Sequence, residues 1–260
     1  MDFGMPTLIE LPKAADCAHF CRELGLQFVE LNMNLPQYQI ETIDVKQLLK
    51  IAEQYSIYYT IHLDENLDPC NFNSRVAQAW TRTALDAILL AKAVDAPILN
   101  LHLNRGVYFT MPEEKVFLYH QEKARYLSSL KVFRDAVTEA TGSSGIRFCV
   151  ENTDGYDQPF LLEGLDLLLE SPVFGLTFDV GHDAAIGCRD LPHILLRKDR
   201  LVHMHLHDCS EKKAHLPLGE GQLNYAERIT LAREQNCRVV LETKTVAGLK
   251  QSVSYLRTTL

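Results

Sequence analysis

The 260-residue sequence predicts one α/β domain, a closed (β/α)8 or TIM barrel spanning residues 1–260, on three observations. Short apolar strand-like runs alternate with helix-like segments eight times along the chain. Seven of the eight runs end on, or close to, a carboxylate or imidazole, and barrel active sites gather at the C-terminal ends of strands. No GxGxxG follows the first run, which argues against the rival open doubly wound sheet.

The elements follow in order. Phe3–Glu10 reads as the first strand, and Leu11–Leu24 as a helix carrying Ala14, Cys17, Ala18 and Cys21, with Gly25 as its stop. Phe28–Asn32 is strand-like. Asp44 is placed to cap a helix to Tyr55 that buries Val45, Leu48, Leu49 and Ala52. Ile57–His62 is a third strand, and Ser74–Val94 a long helix. Pro97–Leu103 is a fourth strand. Thr110-x-x-Glu113 has the form of a capping box, predicting a helix that runs to Thr141. Ile146–Glu151 and Phe174–Asp179 are strands five and six, separated by a helix over Leu161–Glu170. A weak helix near Leu191–Arg197 precedes the seventh strand, Leu201–His207. Asn224–Gln235 is a helix with Asn224 and Glu227 as its cap, Arg238–Glu242 the eighth strand, and Ala247–Leu260 the last helix.

The chemistry concentrates in Leu201–Glu220. His203, His205 and His207 alternate with Met204 and Leu206, so a strand puts all three imidazoles on one face. Such a face is either wet, on an edge strand, or needs partners. The other strand ends supply Glu30, His62, His102, Glu151, Asp179 and Glu242, and the loops add His182 and His215. Singly each has an ordinary explanation, and Glu30 is read as a polar strand end. Together they crowd one small cup, where unpaired carboxylates repel and a divalent cation removes the repulsion. Mixed nitrogen and oxygen donors suit such an ion.

Composition narrows the function classes. Net charge is −8, from 34 acidic and 26 basic residues, with no long basic stripe, so a nucleic-acid partner is disfavoured. No run approaches a membrane span, and the start of the chain lacks a secretion signal, so no membrane partner is expected. Seven scattered cysteines fit reduced thiols and a cytoplasmic location. Self-association as a homo-oligomer stays open.

The segments VEN (150–152), FDVGH (178–182), HLHD (205–208), HLPLGEG (215–221) and LETK (241–244) resemble the xylose-isomerase-like barrel superfamily over essentially the whole chain. That superfamily holds sugar isomerases and epimerases together with apurinic-site endonucleases of the endonuclease-four type. The resemblance implies a mononuclear site of Glu151, Asp179, His205 and Glu242. It places His62 and His102, sharing Glu151, at a further metal position, and His182 and His215 at a third. There Lys213 stands where the endonucleases carry an aspartate, which weakens that site unless Asp208 or Glu211 reaches in. One or two ions (Mn, Zn, Co or Mg) are expected rather than three. The first expectation is a sugar or sugar phosphate isomerase or epimerase, with Glu151 and Glu242 as both ligands and acid/base pair. His207, Arg105 and Lys244 would then bind the substrate. Alternatives are an endonuclease-like phosphodiesterase and a non-catalytic barrel that binds metal or ligand.

Overall fold

A computed structural model describes residues 1–153, 155–210 and 213–259. Eight parallel strands close into a barrel. In chain order they are β1 (Asp2–Pro6), β2 (Phe28–Asn32), β3 (Tyr58–His62), β4 (Ile98–His102), β7 (Arg147–Glu151), β8 (Phe174–Asp179), β9 (Leu201–Leu206) and β12 (Arg238–Leu241). Around the barrel the neighbours run β1, β12, β9, β8, β7, β4, β3, β2, each pair parallel. The closure leaves no edge strand in the barrel. β9 lies between β8 and β12, so the wet-edge reading of its histidine face does not hold. Both faces of β9 are covered: His203 and His205 are fully buried, as are Met204 and Leu206 on the opposite side.

Helices α1 (Ala14–Glu23), α2 (Val45–Tyr55), α3 (Ser74–Ala93), α5 (Lys123–Thr141), α6 (Pro159–Leu169), α9 (Tyr225–Glu234) and α10 (Val246–Thr259) form the jacket, with α8 (Leu191–Leu196) a short contribution. Their apolar stripes meet the outer face of the strands; Leu48 and Ile51 of α2 and Leu165 and Leu168 of α6 are buried. Asp44 caps α2 as expected, its side chain accepting from Gln47 N at 3.1 Å. Asn224 makes no side-chain cap bond on α9.

The capping box at Thr110 is overturned. Tyr108–Thr110 (β5) pairs antiparallel with Lys115–Phe117 (β6), and Met111 N donates to Glu114 O at 2.8 Å across a turn containing Pro112. Helix begins only at α4 (Leu118–Gln121). Burial explains the outcome: the hairpin brings Phe117 and Tyr119 inward, where Phe117 packs 6.0 Å from Phe160. That apolar burial outweighs a local cap worth ~1 kcal/mol. A second antiparallel pair, β10 (Asp208–Ser210) with β11 (Lys213–Leu216), and the short helix α7 (Val180–Ala185) also lie outside the expected elements. Among the described residues, no helix is long and apolar enough to cross a membrane. All seven cysteines are free thiols.

Candidate metal centre at the barrel mouth

Strand direction places the C-terminal ends of β7, β8, β9 and β12 around one point. His205 stands at its centre, with Nδ1 3.2 Å from Glu242 Oε2, 3.5 Å from Glu151 Oε2 and 3.9 Å from Asp179 Oδ2. The register explains the gathering, because Asp179 pairs with His205 across β8 and β9, and Val240 pairs with His205 across β12 and β9. His62 Nε2 and His102 Nε2 lie 3.6 and 3.4 Å from Glu151 Oε2, so Glu151 faces both groups. His62 Nδ1 lies 2.7 Å from Leu63 O, and donating there leaves Nε2 for the mouth. Asn100 donates from Nδ2 to Glu151 Oε2.

Three carboxylates in so small a space need positive charge. Burial alone would raise Glu151 and Glu242, but the His205 imidazole outweighs it, helped at Glu242 by Lys244, and both are held well below the usual carboxylate range. Burial would lower His62, yet Glu151 and Glu30 outweigh it and raise the imidazole to about 9. His205 is likewise pulled upward, against its burial, by Glu151, Glu30 and Glu242. Protons on imidazoles therefore supply the countercharge. Both ring nitrogens of His205 are buried without a partner in hydrogen-bond geometry, although carboxylate oxygens surround them. Nitrogen and carboxylate donors, crowded and imperfectly paired, fit a divalent cation. Asp179, His205 and Glu242 offer ligand atoms within 4.8 Å of one another, and so do His62, Glu151 and His205.

Asp179 is held from three sides. Its N–H donates to Asn152 Oδ1 at 2.7 Å, and Asn152 Nδ2 returns a bond to Asp179 O at 3.2 Å. As the N-cap of α7, its Oδ1 accepts from His182 N at 2.7 Å. His207 Nε2 lies 3.1 Å from the same oxygen. His207 is fully buried, and its Nδ1 accepts from His215 N at 2.9 Å. Both of its nitrogens are thus committed within the protein, and its ring faces Asp179 rather than open space.

His182 and His215 do meet, Nε2 to Nε2 at 3.4 Å. Lys213 lies exposed in β11. Asp208, considered as a third donor there, is occupied elsewhere: its carboxylate accepts from the N–H groups of Cys209, Gly219, Gly221 and Leu223 at 2.9–3.1 Å. It moors the loop after β11. Glu211, the other residue considered, lies outside the described residues.

Lys244 Nζ donates to Glu242 Oε1 at 2.7 Å, and both line a mouth cavity of about 180 Å³ with Asn32 and His62. Arg105 is farther out, 3.2 Å from Asp157 Oδ1 and on the wall of a rim cavity of about 450 Å³ shared with Asn104, Tyr108 and Lys115. Sequence reasoning gave no role to Asn100 and Asn152 and read Glu30 only as a polar strand end. Period 2 could have pointed to Glu30, on the face of Phe28 and Asn32, and to Asn100, on the face of His102.

A family model described as xylose isomerase-like TIM barrel matches residues 18–259. The chain belongs to that family. Several solved structures superpose along nearly its full length. A D-tagatose 3-epimerase-like protein matches with TM-score 0.80 and 20% identity over 99% of this chain and 96% of the other. A probable 3-DHS dehydratase involved in petrobactin synthesis from Bacillus anthracis gives 0.76 and 16%, covering 99% of each. A 3-keto-D-glucoside 4-epimerase from E. coli, in its apo form, gives 0.75 and 14%, again covering 99% of each. Likenesses at this identity show the fold. A search of curated protein sequences finds no match.

Proposed function

We propose that this chain is a metal-dependent isomerase or epimerase of a sugar or sugar phosphate, working by proton transfer at the carbon beside a carbonyl. The observation that carries this reading is the placement of Glu151 and Glu242. Glu151 ends β7, two strands from β9 on one side, and Glu242 follows β12 on the other, and they converge to 3.5 and 3.2 Å from His205 Nδ1. Two ionised carboxylates so placed can serve opposite faces of a flat enediolate, one taking the proton and the other returning it.

Glu151, Asp179, His205 and Glu242 would hold the first cation, with His62 and His102 sharing Glu151 toward a second. A bound Mn, Zn, Co or Mg ion supplies Lewis acidity to a carbonyl and its neighbouring hydroxyl. The protein's own part is to keep both glutamates ionised and aimed. Lys244 steadies Glu242, and Asn100 steadies Glu151. His207 holds Asp179 in this reading, while Lys244 at the mouth and Arg105 at the rim are the cations for an acidic substrate group. The epimerase names of two structural neighbours support the substrate class. We further propose a single domain in the cytoplasm, where seven free thiols stay reduced.

The test screens ketoses, aldoses and their phosphates with manganese, cobalt or magnesium in deuterated water. Product formation is followed together with deuterium entry beside the carbonyl. No conversion across the set with a metal-loaded protein counts against the reading.

Phosphodiester hydrolysis is the second reading. The approach of His182 to His215 favours it. Lys213, the commitment of Asp208, and the charge of −8 weigh against it.

A further inference from the structure

Beneath the mouth lies a second polar layer inside the barrel, with Glu30 also bordering the mouth cavity. Barrel interiors are ordinarily filled by branched apolar side chains, and a buried carboxylate is costly unless donors surround it. Glu30 is 2% exposed, and Thr60, Thr177 and His203 are fully buried. Glu30 Oε1 lies 3.0 Å from His205 Nε2, and Oε2 lies 3.3 Å from His203 Nε2. Thr60 Oγ1 donates to Oε2 at 3.0 Å, and Thr177 Oγ1 lies 3.2 Å from His203 Nδ1.

The protons in this layer can be placed. An imidazole nitrogen so close to a carboxylate oxygen must carry a proton, because two lone pairs would repel. His205 Nε2–H therefore points at Glu30, and His203 Nε2–H at its other oxygen. Thr177 then donates to His203 Nδ1. Every member has a partner by charge and distance, although the ring N–H groups are off the ideal line.

We infer that Glu30 is a positioning residue of the metal centre, holding His205 with Nε2 protonated and Nδ1 turned to Glu151, Asp179 and Glu242. His203, Thr60 and Thr177 hold Glu30 in turn. The inference rests on the reading of the mouth as a metal centre. A neutral imidazole can carry its proton on either nitrogen, and a carboxylate behind Nε2 removes that choice and makes Nδ1 the stronger donor.

Cobalt(II) is the probe. Full-length wild type and Glu30→Gln are titrated with cobalt(II) against a chromophoric chelator, and the visible d–d absorption of each is recorded. Circular dichroism and melting of the metal-free proteins check the fold. Losing an outer carboxylate typically weakens metal affinity by ~10–100-fold, and that loss is expected here with a shifted cobalt spectrum. Equal affinity and an identical spectrum in folded Glu30→Gln overturn the inference and leave the metal reading standing. No cobalt binding by wild type overturns both. Should Glu30→Gln not fold, zinc-loaded wild type labelled with 15N-histidine decides, the His205 signals being assigned by their loss in His205→Gln. Nε2 protonated and Nδ1 ligated is the expected tautomer; an unprotonated Nε2 overturns the inference.

Discussion

Gly181 makes room for His207: a Cβ at 181 would fall 2.0 Å from the ring carbon Cε1 and 2.2 Å from Nδ1. The glycine of FDVGH thus lets the first turn of α7 lie flat on the imidazole that holds Asp179. Gly181→Ala must push that ring away, since the turn also carries the cap bond from His182 N to Asp179. Overpacking of this kind costs about 1–3 kcal/mol. The expected outcome is a lower melting temperature and weaker cobalt binding together. A variant with unchanged affinity would show that His207 does not orient Asp179.

Glu151→Gln and Glu242→Gln test the proton-transfer pair. Each keeps its volume and one oxygen ligand but loses the basic carboxylate. Turnover of the substrate found by screening should fall ~10²–10⁴-fold, the usual worth of a positioned acid or base. Metal content is measured in parallel. Near-normal turnover in either variant removes that glutamate from the chemistry.

Metal binding should depend on pH with a definite sign. His62 is raised to about 9, above its unfolded value, so at neutral pH the metal-free site holds a proton that a cation must displace. Affinity should climb from pH 7 toward 9, by about tenfold per unit for each proton released. The charged His62 also stabilises the metal-free fold. That contribution is fully present below its unfolded pKa of about 6.5 and is lost as pH rises through about 9. Calorimetric titration of cobalt in buffers of different ionisation enthalpy counts the protons; zero released at pH 7 contradicts the assignment.

A nuclease must find DNA, and binding through phosphates weakens steeply with salt. Neither salt-sensitive duplex binding nor cleavage of abasic DNA with zinc or manganese is expected. Robust cleavage that disappears in His182→Ala would make phosphodiester hydrolysis the better reading.

Much of the barrel is legible in the sequence because the strands are short apolar runs, seven of the eight with a carboxylate or imidazole at or near the end. FVELN and Phe174–Asp179 have the bounds the pattern predicts, and the other barrel strands differ at their ends. The hairpin over Tyr108–Phe117 is not legible. Thr110 and Glu113 satisfy a local helix rule, and only the burial of Phe117 against Phe160 tells against it.

The sequence alone determined that His203, His205 and His207 share a face, because a strand repeats every second residue. It could not divide their work. Closure of the barrel sets them at three depths: His203 under Glu30, His205 between Glu30 and the mouth carboxylates, His207 against Asp179. The same closure turns Glu30 from a polar strand end into a buried partner of two imidazoles. Its neighbours across the barrel lie more than 170 positions away in the chain, at His203 and His205. Periodicity within a strand cannot report such contacts; the tertiary structure decides them, because it brings the inward faces of separate strands into one desolvated interior where unpaired charge is costly.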